Sequence, residues 1–228
     1  MLFLRQLLVS MLFNGGLFSV LLFVPAGTWH WPRAIALLGV VLVGAAVTMI
    51  TVFRDNEELY RERTRSPIQK DQPLADKLIL IPFIIAFFGQ IVFVPLDVFH
   101  WHLLPQPGPI VSSLGLLLFI VGWVLITLVF RENAFAAPVV KHQKDRQQRV
   151  IDTGVYSVVR HPMYTGVAIL LPGLALWLES AAGAWASLLP TGLLMIRILV
   201  EEQFLERELS GYSDYKKRVR WRLIPCLW

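Results

Sequence analysis

Long unbroken apolar runs, rather than strict alternation or a single amphipathic stripe, set the pattern of this chain. Six segments, 7–24, 34–53, 78–95, 110–130, 163–178 and 185–200, each approach the length a helix needs to cross about 30 Å of hydrocarbon. Strands of a closed barrel would be short and alternating, so continuous runs predict helices, which satisfy their backbone groups internally. The last two runs are the shortest, and only residues 179–184 separate them, so they predict a tight helical hairpin. The expected fold is an all-α, polytopic membrane bundle. Residues 1–130 form a four-helix scaffold and residues 131–228 a C-terminal half that carries the chemistry, the two integrated as one domain. Arg5 ahead of the first run also suits a signal peptide, but the run's length and the lack of a cleavage site predict a retained anchor.

Composition agrees with the pattern. Of 228 residues, 56% are hydrophobic and only 16% charged, against about 25% charged in soluble domains, and the mean hydropathy is +0.60. A lone cysteine, Cys226, excludes an intramolecular disulfide framework and a cysteine-based zinc cluster. The net charge of +5 does not point to nucleic acid. Its basic residues flank the apolar runs, where they meet anionic lipid head groups. Eighteen of the 21 Lys and Arg lie in 54–77, 131–160 and 207–222, whereas 25–33, 96–109 and 179–184 hold only Arg33, with Trp29, Trp31 and Trp101 as interfacial anchors. By the positive-inside rule, both termini and the two long polar loops face the cytoplasm. The stretch 54–77 mixes six acidic with six basic residues, and Glu58, Arg61, Glu62 and Arg65 fall at helical spacings, as in a solvated helix laced by side-chain pairs.

Polar chemistry collects in the second half. The first constellation runs from Gly154 through Tyr156, Arg160, His161, Pro162, Tyr164 and Gly166. Pro162 suits the first position of a helix, where its missing N–H costs nothing. That helix start, with Arg160 beside it, would attract a carboxylate or phosphate. His161 and Tyr164 are three residues apart and share a face, so both can reach one bound molecule; interfacial anchoring at the head groups is the other reading. The second constellation is Arg197 with Glu201 and Glu202. An arginine three residues inside an apolar run is costly unless it is paired or faces a cavity. Glu201, one turn on, is its expected partner, and Glu202, pointing elsewhere, is expected to be solvated or to help hold an ammonium or a ribose. The third feature is the basic, aromatic-rich tail 211–225, expected to lie on the membrane surface, with Tyr212 and Tyr215 able to cover the site. Several chemistries have no signature here. There is no Gly-x-Gly pair for a dinucleotide or phosphate loop and no His-Glu-x-x-His. A serine nucleophile elbow is missing too, and His30, His100, His102 and His142 are scattered, so no metal site is expected.

The ordered pattern of Gly154, Tyr156, Arg160-His161-Pro162, Tyr164 and Gly166, then a hairpin, then Glu201-Glu202, Leu205, Gly211-Tyr212, Tyr215 and a basic run closing on Ile224-Pro225, resembles the isoprenylcysteine carboxyl methyltransferase and phospholipid methyltransferase superfamily. The likeness covers about the last 90 residues; the first four segments match only in being hydrophobic. It implies S-adenosylmethionine, with S-adenosylhomocysteine as product, bound in a non-Rossmann pocket at the cytoplasmic ends of the last helices and the tail. It further implies that His161, Tyr164, Glu201 and Glu202 contact the cofactor, together with Gly154 and Tyr156 from the opening of the first motif. Arg160 and Arg197 match positions linked to substrate and transition-state placement, and in a carboxyl methylation they would orient the carboxylate. For an amine or thiol, Glu201 or Tyr164 would assist deprotonation. Tyr212 and Tyr215 would face the substrate. The implied partners are membrane lipid and a small or lipid-like methyl acceptor, with no obligate protein partner. Two other readings stand beside it: a membrane reductase of similar architecture using a nicotinamide cofactor, where Met163 replaces the Asn of that group's motif, and a non-enzymatic transporter or regulator.

Overall fold

The computed structural model describes residues 2–69, 72–141 and 143–228, so Lys70, Asp71 and His142 of the sequence reading lie outside the described residues. Nine α-helices are described: α1 (Leu2–Ala26), α2 (Pro32–Thr48), α3 (Glu57–Arg63), α4 (Leu74–Leu96), α5 (Pro109–Glu132), α6 (Pro162–Trp177), α7 (Ala181–Ala186), α8 (Leu188–Glu208) and α9 (Tyr212–Arg218). No strand occurs among the described residues, as the continuous apolar runs predict. Local chemistry marks the starts. Proline opens α2, α5 and α6 at the first turn, where its fixed φ suits a helix and no N–H is missed. The Asn56 side chain caps α3 by accepting from Leu59 N at 3.1 Å, and Ser180 caps α7 through Gly183 N at 2.8 Å. α2 and α4 each run on into a π-helical turn, Met49–Phe53 and Asp97–Trp101.

Among the described residues, five helical stretches are long and apolar enough to cross a membrane: Phe3–Ala26, Pro32–Phe53, Leu74–Trp101, Pro109–Glu132 and Ala181–Glu208. The sixth, α6, has 16 residues and spans about 24 Å. The chain is an integral, multi-pass membrane protein. Its lipid-facing surface carries exposed side chains such as Leu12, Phe13, Val43, Ile85, Ile110 and Leu189. The core gathers Leu22, Leu37, Val41, Ile91, Phe119, Leu171 and Leu174 from α1, α2, α4, α5 and α6.

α5 and α6 pack backbone to backbone. A Cβ placed on Gly122 would lie 2.6 Å from Gly166 O, and one on Gly115 would lie 2.6 Å from Trp177 N and 2.9 Å from Gly173 O. The return positions, Gly166 and Gly173, are equally crowded by Gly122 O at 3.0 Å and Gly115 O at 2.7 Å. Small residues permit this close approach, which is how helices associate where lipid supplies no hydrophobic drive between them. The connection from α6 to α8 is as short as the sequence suggests, but its arms part company: α6 lies on α5, and α8 lies chiefly on α4.

The two ends of the bundle differ in character. At one end, Arg33 pairs with Glu179 at 2.9 Å and donates to Trp177 O at 3.1 Å, while buried Asp97 accepts from Ser180 Oγ at 2.6 Å and Leu103 N at 2.9 Å. At the other end gather α3, the start of α4, the segment 133–161, the start of α6, the end of α8, α9 and the tail. The second end holds the polar cavity.

Candidate functional site

α3 is less solvated than its charge pattern suggests. Arg61 does pair with Glu57 at 2.7 Å and Arg65 with Glu62 at 2.7 Å, yet Leu59 and Glu62 are buried. Glu62 accepts from Lys141 Nζ at 2.5 Å and Glu58 sits 3.0 Å from Arg146 Nε, so α3 holds down the segment that walls the cavity. Arg146 continues the grip from within, donating to Gln143 Oε1 at 2.5 Å and Ala134 O at 2.9 Å.

The cavity lies between this segment, the first turn of α6, the last turns of α8 and α9. Asn133, Val139, Val150, Tyr156, His161, Tyr164, Arg197, Glu201, Leu205, Tyr212 and Tyr215 are on its wall. His161 and Tyr164 do share a face: their rings lie parallel with centroids 5.6 Å apart. The Tyr164 hydroxyl donates to Glu201 Oε2 at 2.6 Å. Tyr156 receives a hydrogen bond on its hydroxyl from Asn133 Nδ2 at 2.9 Å, and its carbonyl accepts from Tyr215 Oη at 2.8 Å. Burial pushes the hydroxyls of Tyr156, Tyr212 and Tyr215 above the ordinary phenol range, so at neutral pH they are donors. The Tyr212 hydroxyl is buried and has no hydrogen-bond partner among the described residues. An orphaned polar group of this kind is costly unless something completes it.

Four expectations are corrected by the geometry. Arg197 is not paired with Glu201. It reaches across to Asp76, donating from Nε to Oδ1 at 2.8 Å and from Nη2 to Oδ2 at 3.4 Å, and from Nη2 also to Pro138 O at 2.8 Å. Asp76, in the first turn of α4, is fully buried, so the scaffold half contributes directly to the site. Glu202 is not solvated. It is buried and accepts from Arg160 Nε at 2.7 Å, His161 Nε2 at 3.3 Å and Arg222 Nε at 3.1 Å. It therefore serves as an internal hub, while half-buried Glu201 faces the cavity.

Arg160 does not offer a free charge to an anion at the helix start. Besides Glu202 it donates from Nη1 to Val219 O at 2.7 Å and Arg220 O at 2.8 Å. The tail, finally, does more than adhere to the surface. Residues 160 and 161 pair through their backbone N–H groups with Trp221 O and Arg222 O, both at 2.9 Å, and Thr165 Oγ1 donates to Leu223 O at 2.8 Å. Val219 and Leu223 are buried, so the tail is stitched to the start of α6. Gly154 stands off the cavity wall, at a turn with φ +54° where a Cβ would come within 2.8 Å of the Glu132 carboxylate.

Comparison with known proteins adds to this geometry. Residues 110–210 match the phospholipid methyltransferase family. Protein-S-isoprenylcysteine O-methyltransferase B of Arabidopsis thaliana is 26% identical over 145 residues, covering 62% of this chain and 70% of that protein. A solved structure of a eukaryotic intramembrane Ras methyltransferase, an isoprenylcysteine carboxyl methyltransferase, has the same fold. The match has a TM-score of 0.56 at 22% identity and covers 94% of this chain and 74% of that one.

Proposed function

We propose that this chain, which belongs to the isoprenylcysteine carboxyl methyltransferase and phospholipid methyltransferase superfamily, is an S-adenosylmethionine-dependent enzyme that methylates an anionic, lipid-like acceptor at the cytoplasmic membrane face. The observation that carries it is the make-up of one cavity wall at the polar end of an apolar bundle: Arg197, the Tyr164–Glu201 pair and the unpartnered Tyr212 hydroxyl. The cytoplasmic placement rests on the crowding of Lys and Arg at that end.

The residues fit the cofactor. Glu201 lends a carboxylate to an ammonium or to ribose hydroxyls, the Tyr212 hydroxyl gains the partner it lacks, His161 and Tyr164 offer a flat stacked edge, and Val139, Val150 and Leu205 give adenine an apolar wall. When bound, S-adenosylmethionine supplies a methyl group already activated by its sulfonium. The chain's own task is alignment, which in such reactions supplies much of the rate. Arg197 holds the acceptor oxygen. A carboxylate acceptor is already ionised at neutral pH, so the Tyr164–Glu201 pair is free to bind rather than to act as a base. For an amine acceptor the same pair would take up the proton, Glu201 being 2.6 Å from the Tyr164 hydroxyl.

The test is calorimetric binding of S-adenosylhomocysteine to the detergent-purified chain, with NADPH as comparator, followed by transfer of radiolabelled methyl to a prenylated cysteine, to phosphatidylethanolamine vesicles and to a small thiol. Micromolar S-adenosylhomocysteine binding that is lost in Glu201→Ala, with methyl appearing on the prenylated cysteine, is expected. Binding of NADPH alone would move the assignment to a reductase, and methyl on the vesicle amine would replace the anionic acceptor.

A further inference from the structure

We infer that Asp76 is a positioning residue of the methyl-transfer site, fixing the Arg197 guanidinium in the one orientation that presents its remaining N–H edge to an anionic acceptor. This rests on the functional reading above. Asp76 belongs to a part of the chain that the matched family segment, 110–210, does not reach.

The carboxylate is fully buried in the first turn of α4, where the helix dipole favours a negative charge. Its acceptor capacity is spent on the protein. Oδ1 takes Arg197 Nε at 2.8 Å, and Oδ2 takes Gln72 Nε2 at 2.6 Å, Val140 N at 3.0 Å and Arg197 Nη2 at 3.4 Å. Asp76 is fully buried and off the cavity wall, so its effect passes through Arg197. On that guanidinium, Nε and Nη2 are committed to Asp76 and Pro138 O, whereas Nη1 has no acceptor among the described residues, and Arg197 lies on the cavity wall. Tyr164 lies beneath, its ring centroid 5.8 Å from Arg197 Cζ.

An arginine near the end of a spanning helix would otherwise extend its stem toward the head groups, and a partner at Glu201 on its own helix would have drawn it that way. A carboxylate arriving from α4 holds it across the bundle instead. Buried ion pairs contribute little net stability, because desolvation offsets much of their attraction, and orientation is one reason for keeping them. Val140 N extends the same grip to the segment walling the cavity, so α4, α8 and that wall meet on one carboxylate.

Full-length wild type and Asp76→Asn are reconstituted in nanodiscs, and three affinities are measured for each. These are S-adenosylhomocysteine alone, then, with S-adenosylhomocysteine saturating, a prenylcysteine carboxylate and its uncharged carboxamide. Wild type should favour the carboxylate, and the variant should lose at least tenfold of that preference while binding S-adenosylhomocysteine within threefold of wild type. Gln72→Met, which removes one support of Asp76 and leaves the ion pair, should show a smaller loss of the same preference and serves if Asp76→Asn does not fold. Equal weakening of carboxylate, carboxamide and S-adenosylhomocysteine would mean a merely structural role and overturn the inference. An unaltered carboxylate preference beside intact S-adenosylhomocysteine binding would overturn it too. Failure of wild type to bind S-adenosylhomocysteine, or to favour the carboxylate, would overturn the functional reading and the positioning role with it.

Discussion

Glu201 and Glu202 are neighbours of identical chemistry, yet the structure gives them opposite duties, and substituting each by glutamine should separate stability from binding. The Glu202 and Arg160 side chains are each only 4% exposed, and removing the charge of one member of a buried pair costs about 3–5 kcal/mol. Glutamine keeps the volume and one oxygen for Arg160 Nε, which places Glu202→Gln near the lower end, about 3 kcal/mol. With that oxygen at the Oε1 position, its amide would point a donor at Arg222 Nε, which now donates to Oε2. Among the described residues Glu201 has a single hydrogen bond, from the Tyr164 hydroxyl, and glutamine can still accept it, so the loss of stability should stay near 1 kcal/mol. Binding should run the other way. A hydrogen bond to a charged group contributes about 1.5–3 kcal/mol, so Glu201→Gln should weaken S-adenosylhomocysteine at least tenfold. Unfolding followed by tryptophan fluorescence in mixed micelles, with calorimetry on the folded fraction, measures both. If Glu202→Gln unfolds with the wild type, or if the two variants lose stability equally, the division of labour between hub and cavity is wrong.

Tyr212→Phe removes a buried hydroxyl that has no partner among the described residues, so the unliganded protein should be as stable as wild type or more so, while S-adenosylhomocysteine affinity falls about fivefold, the equivalent of one hydrogen bond near 1 kcal/mol; unchanged affinity would separate this hydroxyl from the cofactor. Gly122→Ala drives a methyl group to within 2.6 Å of Gly166 O and should lower stability by about 3 kcal/mol, whereas Gly39→Ala, with nothing within 4 Å, should gain up to about 1 kcal/mol from helix propensity. Matching unfolding midpoints for the two variants would refute the backbone contact between α5 and α6. Exposed Cys226 should react with a membrane-impermeant maleimide only after cells are permeabilised, and labelling of intact cells would invert the proposed orientation.

Length and polarity of the apolar runs were enough to read the spanning helices, because a bilayer imposes one solution on such a run whatever it packs against. The bounds differ where charge interrupts the run: α4 begins at Leu74 rather than 78, which takes Asp76 out of the stretch whose charge pattern predicts a solvated helix. Its burial depends on Arg197, 121 residues later, and no local spacing reports a partner at that distance. The i,i+4 rule favoured Glu201 for Arg197 because it describes an exposed helix surface, whereas here a second helix competes for the arginine. The differing directions of Glu201 and Glu202 were legible. Which of them faces inward was not, since that is decided by Arg160 and Arg222 arriving from the loop and the tail. Glycine spacing carries a further sequence signal. Gly115 and Gly122, and again Gly166 and Gly173, are spaced seven apart, two turns of one helix face, which marks the antiparallel contact of α5 with α6.

That contact bears on how the site meets its surroundings. A bilayer that thickens or thins works on spanning helices by tilting them, and helices separated by long side chains can slide past one another as they respond. With carbonyl oxygens lodged against α-carbons at two levels, α5 and α6 can only tilt as a single plate. One edge of that plate carries Asn133, just past α5, and the other carries His161 and Tyr164 at the start of α6. A change in membrane thickness should therefore swing this part of the cavity bodily and leave its internal spacings as they were.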